Sequence, residues 1–175
     1  SAFVAFVCCG LSFSPLSLIA APVSWVNGSG GDWLAPSNWS SNPALPSFID
    51  QVTISQPGTL TITLSGSAPE INSLSMSENL LITTPSDLVV GSGGGSISGT
   101  IDLQNGRLIS KTGTLNILNT VNSDVSGLRA TAGGKMLFSP GVLSTINGRS
   151  DNRTTLESDG TSSLLDLSGV TTFTG

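Results

Sequence analysis

The sequence predicts an all-β protein, built as a β-solenoid with an aromatic cap at its N-terminal end. Three observations predict this class. All three tryptophans precede the first clear strand, many short Val/Ile/Leu/Thr segments follow, and Gly, Ser and Asn separate those segments. No stretch shows the apolar periodicity of a helix.

A β-sandwich is the alternative architecture. Most predicted strands have three to six residues, with one or two inward aliphatic side chains each. Strands this short favour a solenoid, because stacked coils bury a narrow core along a single axis.

The composition excludes several classes of protein. Only 10% of the residues are charged, against about a quarter in ordinary domains, and the net charge is -5. A hydrophobic fraction of 38% argues against disorder. The six basic residues are scattered, so we expect no nucleic-acid partner.

Residues 1–20 are predicted to be a signal peptide whose start is truncated. The segment is apolar and ends in small residues around Ala20, but it lacks a basic beginning. The alternative is an uncleaved membrane anchor, although serines and a proline interrupt the apolar run. Removal of this leader also removes Cys8 and Cys9, which leaves a mature chain without thiols, histidines or a predicted membrane span. Zinc, copper and iron sites are therefore not expected.

Residues 21–50 form a segment rich in tryptophan and turns. Trp25, Trp33 and Trp39 lie between turn signals such as Asn27-Gly28, and prolines exclude a helix. The aromatic side chains have two interpretations. They close the open end of a solenoid core, or they form a platform on which sugar rings stack.

Residues 51–175 are predicted to form solenoid coils that continue beyond Gly175. Residues 60–64 alternate apolar and polar side chains, as a strand with one buried face does. Gly58-Thr-Leu-Thr-Ile, Gly99-Thr-Ile-Asp-Leu and Gly113-Thr-Leu-Asn-Ile share one form. The interval between Gly99 and Gly113 is shorter than a coil of three strands, so these two units are expected on consecutive faces of one coil. Further short strands are predicted at 71–76, 80–83, 88–90, 107–109, 128–130, 136–138, 142–146 and 171–173.

The glycine-rich run from Gly91 to Ser96 is predicted to be a turn. It resembles a phosphate-binding loop only in its glycines, because no Gly-Lys-Ser/Thr follows it and no helix begins after it.

Candidate site residues are acidic or aromatic. Asp151, Glu157 and Asp159 form the densest acidic stretch and are candidates for calcium, although they lack the spacing of a known calcium loop. Asp102 and Asp166 lie in alternating segments and are expected to point outward, where a hydrolase would need two converging carboxylates. Without histidine, an ordinary serine triad is excluded.

Residues 25–120 resemble a known family. The pattern Trp25…Gly-Gly-Asp-Trp33…Pro-Ser-Asn-Trp39, the strand Gly58-Thr-Leu-Thr-Ile-Thr-Leu and Ile71-Asn-Ser-Leu are similar to the opening of large secreted bacterial surface proteins. These are the filamentous-haemagglutinin-like and autotransporter-associated β-strand repeat proteins. The resemblance implies a right-handed parallel β-helix, export to the cell surface, and an adhesive or structural role.

The sequence thus favours an extracellular structural or adhesive segment that is not an enzyme. Extracellular polysaccharide or other cell-surface components are the expected partners. The alternatives are a carbohydrate-binding module centred on the tryptophans and a non-catalytic part of a polysaccharide lyase or hydrolase.

Overall fold

The computed structural model describes residues 20–83, 85–104, 106–122, 127–143, 145–147 and 156–174. These residues form an all-β structure with a single 3-10 turn at Pro36–Asn38. The strands are β1 (Pro22–Ser24), β2 (Gly31–Asp32), β3 (Gln51–Ile54), β4 (Thr61–Leu64), β5 (Ile71–Met76), β6 (Asn79–Ile82), β7 (Asp87–Ile97), β8 (Ile101–Leu103), β9 (Arg107–Lys111), β10 (Thr114–Ile117), β11 (Val121–Asn122), β12 (Gly127–Thr131), β13 (Lys135–Phe138), β14 (Thr145–Asn147), β15 (Leu156–Asp159), β16 (Leu164–Leu165) and β17 (Thr172–Thr174).

The strands stack in parallel along three faces, which makes a β-solenoid of about four turns. Face 1 contains β1, β3, β5, the second half of β7, β10, β13 and β16. Face 2 contains β2, β4, β6, β8 and β11. Face 3 contains the first half of β7, β9, β12 and β15. The strands β14 and β17 pair separately.

Parallel pairing between all these strands confirms the predicted solenoid and excludes the sandwich, whose sheets are antiparallel. On face 1, equivalent positions are held by Val52, Leu74, Gly95, Leu115 and Met136. Successive coils in this part of the chain are therefore offset by 20–22 residues.

Stacks of aliphatic side chains fill the interior. Face 2 contributes Ile62, Leu80 and Ile101, and face 3 contributes Leu88, Leu108 and Leu128, all almost fully buried. Each such side chain contributes about 1.5–3 kcal/mol through removal from water. Because each strand supplies only a few of them, stability depends on neighbouring coils.

One inward position on face 3 is polar. Ser110 is fully buried, and its hydroxyl lies 3.0 Å from the carbonyl oxygen of Gly113 and 2.9 Å from that of Lys135. These contacts satisfy the hydroxyl, so the serine joins the backbones of two coils instead of leaving a polar group unpaired.

The prediction of a turn at 91–96 was wrong. These residues lie inside β7, which is continuous from Asp87 to Ile97 and turns the corner between faces 3 and 1. Gly94 and Gly95 have φ angles of 59° and 136° there. A Cβ at Gly95 would lie 1.9 Å from the carbonyl oxygen of Leu74. Glycine therefore lets a paired strand bend where any side chain would collide with the next coil.

Most predicted strands are confirmed within a residue or two, and β5 matches its predicted bounds. The units that begin at Gly99 and Gly113 give β8 on face 2 and β10 on face 1. The prediction that they occupy consecutive faces was wrong, because β9 on face 3 lies between them. Of the predicted signal peptide, only Ala20 is among the described residues. Within the described part of the chain, no helix has the length and apolar character needed to cross a membrane.

Candidate functional site

The three tryptophans form one cluster. The ring centroids of Trp25 and Trp39 lie 4.9 Å apart at 87°, and those of Trp33 and Trp39 lie 4.7 Å apart at 65°. Both are edge-to-face arrangements, which aromatic rings favour. Trp25 and Trp39 also form an antiparallel bridge, and Ser40 N donates to the carbonyl oxygen of Ser24 at the end of β1.

The cluster is buried, with exposed fractions of 1% for Trp25, 0% for Trp33 and 1% for Trp39. The indole of Trp25 donates to the carbonyl oxygen of Asn27, and that of Trp39 donates to the carbonyl oxygen of Trp33, both at 2.7 Å. A sugar platform needs an accessible ring face, and none of these rings offers one in this structure. We therefore place no binding site on the tryptophans, and their capping role stays a prediction.

Two of the three acidic candidates for calcium, Glu157 and Asp159, lie on β15. Glu157 Oε1 accepts from Arg129 Nη2 at 2.6 Å, and Asp159 Oδ2 lies 4.0 Å from the same nitrogen. The guanidinium of Arg129 thus pairs closely with Glu157 and lies at the outer limit of an ion pair with Asp159. Asp151 lies outside the described residues, and among the described ones no three acidic or otherwise metal-binding side chains converge. The calcium site stays a prediction.

The outward acids do not meet. Asp102 lies on β8 and accepts from Gln104 Nε2 at 3.2 Å. Asp166 lies beside an open cavity near the C-terminal end of the described coils. Hydrogen bonds from the side chain and backbone of Ser168 lower the pKa of Asp166. The described residues that line the cavity are Phe138, Ser139, Pro140, Leu143, Asp166, Ser168 and Gly169, which include one carboxylate where glycoside hydrolysis would use two.

Face 3 carries ion pairs between coils. Arg107 binds Asp87 through Nε and Nη2, each at 2.7 Å, across two adjacent strands. Lys111 Nζ lies 2.8 Å from Glu70 Oε2. With the pair formed by Arg129, three of the four described basic residues bind other coils, and Lys111 reaches Glu70 two coils away. The fourth, Lys135, is exposed on β13 of face 1, where it lies in register with Thr114 on β10. The partners of these ion pairs lie 20 to 41 residues apart in the chain, so no local pattern in the sequence predicted them.

Face 1 carries a contrasting surface, which we call the neutral patch. It is formed by the outward side chains of β3, β5, the second half of β7 and β10, namely Gln51, Thr53, Ser73, Ser75, Ser96, Thr114 and Asn116. None of them is ionisable. Among the described contacts of these seven side chains, the one hydrogen bond is from Asn116 Nδ2 to the carbonyl oxygen of Gly95, at 3.2 Å. The other six leave their donors and acceptors to solvent or a ligand.

An exposed aromatic ring lies in the turn that leads into β3, the first strand of this patch. Phe48 is 64% exposed and lies three residues before β3. Its turn is fixed by Asp50, whose Oδ2 accepts from the backbone nitrogen and the hydroxyl of Ser47 at 2.7 and 2.8 Å. The carbonyl oxygen of Asp50 accepts from Ser73 N on β5. Sequence reasoning missed Phe48 because it lies outside the alternating strands, and its position after Pro46 was the available signal.

A buried acid holds the corner between β3 and β4. Glu78 is 1% exposed, and its two carboxylate oxygens accept from the backbone nitrogens of Gln56 and Leu60 at 3.0 and 2.8 Å. Burial raises the pKa of Glu78, but these bonds and one from Ser77 outweigh burial and lower it. The carboxylate therefore stays charged without a basic partner and acts as a structural anion.

No protein-family model, curated protein or solved structure matches this chain. Its function must therefore be inferred from its own sequence and from the geometry of its faces.

Proposed function

We propose that this chain is an extracellular structural and adhesive segment of a bacterial cell-surface protein. The observation that carries the proposal is the division of its surface. Face 3 uses its charges to hold coils together, and face 1 presents an uncharged polar patch to the outside.

A stacked solenoid suits such a role because each coil repeats the same outward surface at a fixed spacing. Weak contacts repeated along a rigid surface add up to strong attachment when the binding target is itself repetitive. The apolar, small-residue leader at 1–20 supports export, and the resemblance to secreted surface proteins supports attachment at the cell envelope.

Localisation tests this proposal directly. Cells that produce the whole chain with a C-terminal epitope would be compared with cells that produce residues 21–175. We expect antibody labelling and protease cleavage on intact cells for the whole chain, and retention in the cytoplasm when the leader is absent. Because the leader lacks a basic beginning, residues 21–175 behind a complete signal peptide are the third form. Retention of all three forms inside the cell would contradict an extracellular role.

A further inference from the structure

We propose that the neutral patch, together with Phe48, binds a neutral polysaccharide. This inference deepens the adhesive function proposed above and depends on it. It assigns the binding surface to face 1 and the contacting ring to Phe48, and it places no ligand on the buried tryptophans.

The chemistry of the patch selects the partner. Hydroxyl and amide groups donate and accept hydrogen bonds, as the hydroxyls of a neutral sugar chain also do. Ser and Thr have short side chains, so fixing them on a ligand costs little conformational entropy. The seven side chains carry no positive charge, and the described cations of face 3 are already paired. One exposed cation, Lys135 on β13, borders the patch beside Thr114. A single lysine gives an acidic polymer little attraction to a chain whose net charge is -5.

A protein partner fits this surface less well. Protein interfaces concentrate binding energy in Trp, Tyr, Arg and other large anchors near the centre of the contact. The centre of the neutral patch is Ser73, Ser75 and Ser96, which offers no such anchor. Adjacent strands lie about 4.8 Å apart, so four strands span about 14 Å of regularly spaced polar groups.

Phe48 supplies an exposed aromatic ring in the turn before β3. Leu118, directly after β10, is also exposed but has no ring face to stack on a sugar. The bonds between Asp50 and Ser47 hold its turn in place before any ligand arrives. An exposed ring on an ordered turn can stack on the apolar face of a sugar without the entropic cost of ordering a loop on binding.

Affinity electrophoresis of the whole chain tests the proposal, because the net charge of -5 moves the protein through gels that contain dissolved polysaccharide. The probes are dextran, xylan and a mixed-linkage β-glucan as neutral polymers, and polygalacturonate as an acidic one. We expect at least one neutral polymer to retard the protein and polygalacturonate not to do so. Retardation by none of the neutral polymers, or by polygalacturonate alone, overturns the proposal.

Two pairs of variants locate the site. Phe48→Ala should weaken retardation at least fivefold, and Phe173→Ala should leave it unchanged, because Phe173 is 65% exposed but lies on β17, away from face 1. Ser75→Asp should weaken it at least tenfold, whereas Thr63→Asp adds the same charge on face 2. Equal losses within either pair overturn the proposal. Circular dichroism shows whether each variant folds. If either aspartate variant fails to fold, the comparison of Phe48→Ala with Phe173→Ala alone tests the proposal.

The two proposals fail separately. A chain that reaches the cell surface but is not retarded by neutral polymers rejects the neutral patch and keeps the structural role. A chain that is retarded but stays inside the cell rejects the surface location and keeps the binding site.

Discussion

Glu78 accepts a hydrogen bond from the backbone nitrogen of Leu60, at 2.8 Å, across the corner that joins faces 1 and 2. The same carboxylate binds the backbone nitrogen of Gln56, so one buried anion orders the whole connection between β3 and β4. Replacement of this carboxylate should loosen the connection.

Glu78→Gln is expected to lower the free energy of unfolding at pH 7 by about 1–3 kcal/mol. The glutamine amide has one acceptor oxygen, so its NH₂ group would face one of the two backbone N–H groups, and that N–H would lose its hydrogen bond. Urea denaturation measures the change. Asp102→Asn, on the outward side of β8, serves as the control and should change stability by less than about 0.5 kcal/mol.

The same residue predicts a pH dependence. The pKa of Glu78 is lowered on folding from its ordinary value of 4.5, so its contribution is complete above that value and is lost as the pH falls through the folded pKa. The stability difference between the native chain and Glu78→Gln should therefore shrink in acid. A difference that stays constant between pH 7 and pH 3 would contradict this role.

Trp39→Ala should destabilise the protein by about 3–5 kcal/mol, because Trp39 packs edge-to-face on both Trp25 and Trp33 and all three rings are buried. Thermal unfolding measures the loss. Phe48→Ala, which removes an exposed ring, should change stability by less than about 0.5 kcal/mol. If Trp39→Ala kept its stability, the cluster would not be a structural element, and a ligand role would return to consideration.

Gly95→Ala is expected to cost more than about 4 kcal/mol or to prevent folding, since the new Cβ would lie 1.9 Å from the carbonyl oxygen of Leu74. Gly58→Ala is the matched control. Gly58 also has a positive φ, of 94°, but a Cβ there would meet nothing within 4 Å, so only backbone strain of about 1–3 kcal/mol is expected. Similar losses at both positions would show that contact between coils is not the cause.

A double-mutant cycle on Arg107→Gln and Asp87→Asn should give a coupling energy of about 1 kcal/mol, at the upper end for half-exposed pairs, because the contact has two bonds. In 1 M NaCl the coupling should fall, since salt screens charges at this exposure. A coupling near zero in low salt would mean that face 3 is held together by its core alone.

Local patterns in the sequence account for much of the fold. The alternation predicted a strand with Leu60, Ile62 and Leu64 on one buried face. Ile62 and Leu64 are buried in β4, whereas Leu60 precedes the strand and is only partly buried. The polar outward positions of β3 and β5 follow from the same period of two.

The remaining features depend on which coil lies beside which. Glycine marks both turns and bends within strands, so Gly91 to Ser96 could not be assigned without knowing that β5 and β10 lie on either side. Lys111 forms an ion pair with Glu70, which lies 41 residues earlier in the chain, so no local pattern predicts the contact. The exposure of the aromatic side chains could not be predicted either, because the buried Trp33 and the exposed Phe48 both lie in turn-rich sequence.

The offset of 20–22 residues between coils also determines which insertions the fold can accept. Duplication of one such stretch adds a complete rung and moves everything after it by one strand spacing, about 4.8 Å, while every side chain keeps its face. Insertion of a single residue within a strand would instead turn an inward leucine outward. Evolution can therefore lengthen this molecule in whole rungs and adjust its reach without redesigning its interior.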